Sequence, residues 1–224
     1  MIRKKSKGLL IVMSGPSGAG KGTICSRLLE DMKDTKLSIS MTSRDPREKE
    51  ENGVDYYFIS KEEFEERISN DEFLEYAIVH NNQYYGTPKA KIEEDLSNGK
   101  NVILEIDIQG ALKIKEKVSE ALFIFIMPPS MEELKERLIK RNTESKNKIL
   151  ERFKTAYNEI NEYAKYNYVV VNDKVDKAVE KVKSIIIAEK CRVDRIEEIY
   201  LNTKEEFIHE GLIDEEFENK DLEL

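Results

Sequence analysis

Tryptophan is absent from the 224-residue sequence, and cysteine and histidine occur only twice each. Cys25 and Cys191 lie far apart and match no metal-binding or redox spacing, and His80 and His209 stand alone. This scarcity argues against a disulfide framework and against a zinc site. We therefore expect a cytoplasmic protein with reduced thiols.

The sequence also lacks long apolar runs and a surplus of basic residues. The first apolar run, residues 8–13, is too short to span a membrane and is followed by no signal-peptide cleavage site. The net charge is −8, and residues 194–224 alone carry twelve acidic and three basic side chains. The rest of the chain is thus nearly neutral, which argues against a polynucleotide partner and against a membrane partner. A bound anion should be small and held by a few local cations.

Four mostly apolar runs predict strands buried on both faces, and helical stretches separate them. The runs are 9–13, 102–106, 122–126 and 168–171. This order predicts an α/β fold, a parallel sheet with helices on both faces. The predicted core comprises 1–39, 97–128 and 166–193. A mixed α+β insert (40–96), a helical charged insert (129–165) and an acidic C-terminal extension (194–224) complete the predicted domain organisation.

A glycine-rich loop lies between the first predicted strand and a predicted helix over 21–31. The loop fits Gly-x-x-x-x-Gly-Lys in the strand–helix context that a phosphate-binding loop requires. Backbone N–H groups, the helix N-terminus and the Lys21 ammonium can together hold the phosphates of ATP. The predicted ATP-binding residues of this region are Gly15, Pro16, Ser17, Gly18, Ala19, Gly20, Lys21, Gly22 and Thr23.

The residue after Lys21 is Gly22, where Ser or Thr usually holds Mg²⁺, and Thr23 comes next. The Lys-Gly-Thr sequence is similar to that of nucleoside monophosphate kinases, in which magnesium is contacted more often through water. We therefore expect Mg²⁺ to be held through phosphates and water, with Thr23 and Asp107 as the candidate protein ligands.

A second group of motifs follows the loop. Ser40–Arg47 places two arginines, Arg44 and Arg47, three residues apart, which suits a grip on one phosphate. Gly53–Phe58, Glu72–Tyr76 and Tyr84–Pro88 come next. In this order, behind this loop, the motifs resemble the guanylate kinase family, and the resemblance covers roughly residues 8–190.

The resemblance implies a GMP-binding domain in the first insert. It implies that the GMP phosphate is held by Arg44, Arg47, Tyr56 and Tyr85, and that guanine is recognised by Ser40, Glu75 and Thr87. The chemistry agrees with this assignment. A carboxylate at Glu75 can accept from guanine N1–H and the 2-amino group, and hydroxyls at Ser40 and Thr87 can donate toward O6 or N7.

Two further groups of side chains belong to the pattern. Glu105 and Asp107, two residues apart at the end of a predicted buried strand, are expected to be buried on one side of the sheet. Asp107 is the better candidate for contacting Mg²⁺ or guanine, and the alternative is a structural pairing with Lys21. The resemblance implies that the helical insert is a lid whose arginines, Arg137, Arg141 and Arg152, close over ATP. Asn172, at the end of the last predicted core strand, is a candidate for contacting adenine.

The predicted reaction is Mg²⁺-dependent transfer of the γ-phosphoryl group of ATP to GMP. GMP, and also dGMP, are the expected acceptors, and the predicted catalytic residues are Lys21, Arg44, Asp107, Arg137, Arg141 and Arg152. Two alternatives stay open at this point. One is a non-catalytic module that binds phosphopeptides in the former GMP site, and the other is a kinase with a different monophosphate acceptor. The sequence leaves the choice between monomer and homo-oligomer open.

Overall fold

The computed structural model describes residues 7–79, 82–140 and 146–196. The strands are β1 (Leu10–Ser14), β2 (Thr35–Leu37), β3 (Met41–Thr42), β4 (Tyr57–Phe58), β5 (Phe73–Val79), β6 (Gln83–Pro88), β7 (Asn101–Glu105), β8 (Leu122–Met127) and β9 (Tyr168–Val171). The helices are α1 (Lys21–Asp31), α2 (Lys61–Ser69), α3 (Lys89–Ser97), α4 (Ile108–Lys117), α5 (Met131–Lys140), α6 (Lys146–Ile160), α7 (Val175–Glu189) and α8 (Val193–Ile196), with a 3₁₀ helix at Asn161–Lys165.

The larger sheet has five parallel strands in the order β2-β7-β1-β8-β9. Its central strands are buried along their apolar residues because helices cover both faces. On one face, Val12 of β1 packs with Ile92 of α3 and Ile114 of α4. On the other, the neighbouring residue Met13 contacts Cys25 of α1, whose Sγ lies 3.4 Å from Met13 Sδ. The predicted α/β fold class is confirmed.

The four predicted strands and α1 are present within one residue of their predicted ends. β2 was not predicted from the sequence, because its three residues, Thr35–Leu37, mix polar and apolar side chains and only Thr35 is buried. One prediction about the sheet was wrong. β7 ends at Glu105, so Asp107 does not continue the strand beside it, and both carboxylates are exposed rather than buried.

The smaller sheet has four strands in the order β4-β3-β6-β5, mixed in direction. α2 covers one face of it, and the Phe64 ring stacks on Phe73 at 4.4 Å between centroids and on Tyr84 at 5.1 Å. Gly86 lies beneath these rings, where a Cβ would come within 2.8 Å of Phe73 and 2.9 Å of Phe64. This face is a packed interior, so the polar side chains of the sheet lie on the opposite face.

Helix caps fix the starts of α2 and α5. The Glu63 N–H donates to Ser60 Oγ at 3.0 Å, and the Glu133 N–H donates to Ser130 Oγ at 3.1 Å. α5 and α6 pack together through Leu134, Leu138 and Ala156, all buried. α6 and the following 3₁₀ helix return the chain to β9.

Residues 7–183 form one compact unit, and the described residues 184–196 belong to a second. In the second unit, the buried Glu189 carboxylate pairs with Arg192 at 3.4 Å and with Arg195 at 3.3 Å. The predicted acidic extension lies outside the described residues beyond Ile196. Among the described helices, none is both long and apolar enough to cross a membrane.

Candidate active site

The phosphate loop, residues 15–21, connects β1 to α1 and needs glycine at two close approaches. Gly15 has φ 145°, and a Cβ there would lie 2.3 Å from the Ile126 carbonyl oxygen. Gly20, which caps α1, has φ 94°, and its Cβ would lie 2.4 Å from Asn172 Nδ2. The loop is thus pressed against the ends of the neighbouring strands and leads into a helix N-terminus, where the helix dipole favours anions.

The Lys21 ammonium folds back over this loop. Lys21 Nζ donates to the Gly15 carbonyl at 2.6 Å and to the Pro16 carbonyl at 3.3 Å. Burial lowers the pKa of Lys21, and the nearby carboxylates of Glu105, Glu159 and Asp107 oppose that shift. The Lys21 ammonium therefore lies at the phosphate loop with carboxylates nearby, a position from which it can contact a bound phosphate.

Carboxylates and a hydroxyl border the start of α1. A Cβ on Gly22 would lie 3.4 Å from Glu105 Oε1, so this carboxylate lies beside the first turn. Thr23 is exposed in the same turn. Asp107 is the N-cap of α4 and its Oδ1 accepts from the Gly110 N–H at 2.7 Å. The predicted metal candidates therefore lie close to the phosphate loop.

Within the described ranges, no group of three or more His, Cys, Asp or Glu side chains could hold a metal ion. Hydrated Mg²⁺ is commonly bound by one or two carboxylates together with substrate phosphates. The residues that border the loop fit that kind of site, in which Glu105, Asp107 or Thr23 supplements the phosphate and water oxygens.

Two of the three predicted lid arginines reach the phosphate loop. Arg137 Nη2 donates to the Asn172 carbonyl at 3.0 Å, and Nη1 lies 3.5 Å from the Ala19 carbonyl. Arg152 Nη2 donates to Ser17 Oγ at 2.5 Å. Arg141 lies outside the described residues.

Asn172 is 2% exposed and contacts the phosphate loop from the end of β9. Its Nδ2 donates to the Ala19 carbonyl at 2.8 Å, and its own carbonyl accepts from Arg137. The end of β9 therefore joins the phosphate loop to α5. A direct contact of the Asn172 side chain with adenine stays a prediction from the sequence.

The predicted guanine-binding residues lie in one row across the smaller sheet. Glu75 of β5 pairs with Thr87 of β6, and Met41 of β3 pairs with Gly86. Ser40 precedes Met41 and so comes opposite Thr87 in this antiparallel register. Paired residues point to the same face of a sheet, so the row runs from the Ser40 hydroxyl through the Thr87 hydroxyl to the Glu75 carboxylate on the face away from α2.

Glu75 is 8% exposed, and the Thr87 hydroxyl donates to its Oε1 at 2.8 Å. Burial raises the pKa of Glu75, the Thr87 hydrogen bond lowers it, and the charge of Asp107 raises it. The Thr87 proton is directed to Glu75 in this arrangement, rather than being free to donate to a base. Thr87 therefore orients the carboxylate.

Arg44 is the most constrained member of the predicted GMP-phosphate site. Its guanidinium binds Glu50 through two hydrogen bonds of 2.6 and 2.7 Å, and Nε donates to Tyr85 Oη at 3.0 Å. The Tyr56 ring centroid lies 5.1 Å from Arg44 Cζ. Arg47 is exposed, and its backbone N–H donates to Glu50 at 2.9 Å. Four of the predicted residues are thus brought together, with Arg47 at the rim.

The family model for guanylate kinase matches residues 7–189. The chain belongs to the guanylate kinase family. It is 62% identical to the guanylate kinase of Clostridium tetani over 208 residues, which cover 93% of this chain and 99% of that protein. It is 59% identical to the guanylate kinase of Clostridium perfringens strain SM101 over 213 residues, which cover 95% and 98% of the two chains.

A solved guanylate kinase has the same fold. The crystal structure of the Anaplasma phagocytophilum protein matches with a TM-score of 0.69 at 36% identity, covering 86% of this chain and 92% of that one. Family membership and fold therefore agree with the resemblance that the motifs carry.

Two residues of this guanylate kinase family site were not predicted from the sequence. Glu50 holds the Arg44 guanidinium, and its only sequence signal is its place three residues after Arg47. Glu159 faces Lys21 from α6, and its signal is the seven-residue spacing from Arg152, which places both side chains on one face of a helix.

Proposed function

We propose that this guanylate kinase family member transfers the γ-phosphoryl group of ATP to GMP, giving ADP and GDP. One observation supports this choice of acceptor above all others. The buried Glu75 carboxylate, oriented by Thr87, lies on the same sheet face as Tyr85, which binds Arg44. The carboxylate proposed to bind guanine and the tyrosine that holds the phosphate-binding Arg44 therefore lie on one face of the sheet.

The proposal assigns the two nucleotides to two halves of the site. ATP is assigned to residues 15–23, to Asn172 and to the lid arginines Arg137 and Arg141, with Arg152 completing the lid. GMP is assigned to Ser40, Arg44, Arg47, Tyr56, Glu75, Tyr85, Thr87 and Asp107. The corresponding domains are the core, a GMP-binding domain at 40–96 and a lid at 129–165.

Adenine would be rejected by Glu75 because adenine N1 carries a lone pair where guanine N1 carries a hydrogen. A buried carboxylate that loses its donors is costly, and such mismatches support discrimination on the order of 10⁴-fold. The proposal extends to dGMP, since none of the assigned base or phosphate contacts involves the ribose 2′-hydroxyl.

The GMP phosphate is already an anionic nucleophile, so no protein side chain has to act as a strong base. Lys21, Arg137 and Arg152 surround the phosphate loop and can neutralise charge on the transferring group. Arg44 and Arg47 fix the acceptor. Mg²⁺, bound through the nucleotide phosphates with Thr23, Glu105 or Asp107 beside it, would supply further charge neutralisation. Catalysis is then positioning and electrostatic stabilisation.

A coupled ADP-release assay with ATP, magnesium and a panel of GMP, dGMP, AMP, UMP and CMP tests the proposal. We expect turnover with GMP and dGMP only. Glu75→Gln should lower kcat/KM for GMP by about 100-fold or more, while the Kd for ATP stays unchanged. Glu93→Gln, an exposed change on α3, is the matched control. Equal turnover with AMP, or an unaffected Glu75→Gln variant, would contradict the proposal.

The alternatives of a phosphopeptide-binding module and of another acceptor are not favoured, because relatives at about 60% identity are guanylate kinases. A cytoplasmic location stays a prediction from the sequence.

A further inference from the structure

The lid helix α6 lies directly on the phosphate loop. Arg152 Nη2 donates to Ser17 Oγ at 2.5 Å, and Ala156, one turn further along, is completely buried against α5. α5 also contacts the loop, because a Cβ on Gly18 would lie 3.0 Å from Leu134 Cδ1. The face of α6 that bears Arg152 and Ala156 is therefore the face turned to the nucleotide site.

Glu159 continues this face of α6. It follows Arg152 by seven residues and Ala156 by three, the spacings that stack side chains on one side of a helix. Glu159 is half-buried and within electrostatic range of Lys21. A negative charge from the lid is thus directed at the cation that serves the phosphates.

The surroundings of Glu159 mix charges of both signs. Burial raises the pKa of Glu159, and Asp107 raises it further, whereas Lys21 and the backbone N–H of Ser17 lower it. The Tyr166 hydroxyl also interacts electrostatically with Glu159. Burial raises the pKa of Tyr166 to about 12, so this hydroxyl is neutral near pH 7. Lys21 is therefore the cation that Glu159 attracts, and Arg152 lies two turns earlier on the same helix.

A carboxylate in this place imitates part of the charge of a phosphate. It attracts Lys21 and a loop N–H, which are also the groups that a triphosphate needs. Charges that lie a few ångströms apart at a protein surface interact appreciably, and more distant pairs interact less. The Glu159 charge must therefore oppose a polyphosphate that enters the loop.

We propose that Glu159 sets the affinity of the donor site by competing with nucleotide phosphates for Lys21 and the phosphate loop. The inference rests on the proposed donor site. Glu159 weakens polyphosphate binding and so favours release of ADP after transfer. It is an affinity-determining residue of the lid and takes no part in bond making.

Calorimetric titration with ADP and with inorganic tripolyphosphate, without added magnesium, tests the proposal. Glu159→Gln keeps the size and the hydrogen-bonding ability of the side chain and removes its charge. At pH 7.5 we expect both ligands to bind this variant about 10-fold more tightly than the wild type. Glu151→Gln removes a charge from an exposed position of the same helix and should change either Kd by less than about 2-fold.

The pH dependence provides a second readout. As the pH falls through the raised pKa of Glu159, the wild-type affinity should approach that of Glu159→Gln, and the advantage of the variant should disappear. Equal or weaker binding by Glu159→Gln, with an unchanged unfolding midpoint, would overturn the inference. Failure of the wild type itself to bind ADP would instead contradict the proposed donor site, so the two failures are distinguishable.

Discussion

The Thr87 hydroxyl donates a 2.8 Å hydrogen bond to the Glu75 carboxylate across β5 and β6. The bond fixes one carboxylate oxygen of a side chain that is almost fully buried. A neighbouring hydroxyl therefore holds Glu75 in position, and the proposed recognition of guanine depends on that hydrogen bond.

Removing that hydroxyl should weaken the use of GMP. Hydrogen bonds to charged groups contribute about 1.5–3 kcal/mol, so Thr87→Val should lower kcat/KM for GMP by about 10- to 100-fold. Thr87→Ser retains the hydroxyl and should stay within about 3-fold of the wild type on the same grounds. Initial-rate measurements with varied GMP check this, and the Kd for ATP should be unchanged in both variants. Equal losses in the two variants would assign the effect to packing.

The same pair controls a pH dependence. In the proposed site Glu75 must be ionised to accept from guanine, and burial raises its pKa above the ordinary value of 4.5. Use of GMP should therefore be lost as the pH falls through a value above 4.5. Because the Thr87 hydrogen bond lowers the pKa of Glu75, Thr87→Val should move this acid limb to higher pH. The titration of GMP itself affects the pH profiles of kcat/KM of both enzymes equally, so the difference between the two profiles reports the pKa of Glu75. Acid limbs at the same pH in the two enzymes would refute the assignment of this titration to Glu75.

Glu50 should stabilise the fold in a defined pH range. Its hydrogen bonds to Arg44, and then to the Arg47 backbone, lower the pKa of Glu50 from 4.5 to about 2. A depressed carboxyl pKa contributes stability that is present above 4.5 and lost as the pH falls toward 2. The unfolding free energy of Glu50→Gln should thus fall below the wild type at pH 7, and the difference should shrink below pH 4.5.

Urea unfolding at pH 7, 5, 4 and 3 measures this difference. Glu48→Gln changes an exposed neighbour and serves as the control. A difference that is independent of pH would mean that Glu50 acts by packing rather than by charge.

Any side chain at Gly86 should destabilise the fold. A Cβ there would come within 2.8 Å of Phe73, 2.9 Å of Phe64 and 3.1 Å of the Glu75 carbonyl oxygen. Overpacking of this kind costs about 1–3 kcal/mol, so Gly86→Ala should lower the unfolding free energy by that amount. Gly110→Ala is the comparison, because a Cβ at Gly110 meets its nearest atom at 3.4 Å. Denaturant unfolding of both variants measures this difference. Equal free energies of unfolding would show that the stacked rings can shift to accommodate the added methyl group.

The sequence predicted the parts of the site that reside in local patterns. The apolar runs gave the core strands, and α1 begins at Lys21 as the loop motif indicates. Two-residue spacing misled us at Asp107, because alternation looks alike in a strand and in the turn that caps a helix. The chain leaves β7 after Glu105, and Asp107 turns to bind the Gly110 N–H instead.

Contacts between distant segments could not be predicted in the same way. Glu50 and Glu159 are ordinary acidic residues in charged surroundings, and their spacing from nearby arginines is too weak a signal to distinguish them from other acidic residues. Their importance arises when folding brings Arg44 or Lys21 beside them. The order of strands in the smaller sheet is likewise a tertiary fact, since β3 pairs with β6 across more than 40 residues.

The row formed by Ser40, Thr87 and Glu75 has a consequence for how this chain could change. Thr87 and Glu75 come from adjacent strands and Ser40 immediately precedes β3, in one small sheet whose opposite face is closed by α2. On the proposed assignment, the choice of acceptor therefore depends on one face of this small sheet, apart from the loop proposed to bind the donor. A few substitutions on that sheet face could therefore adapt the chain to another base, while the residues around the phosphate loop remained unchanged.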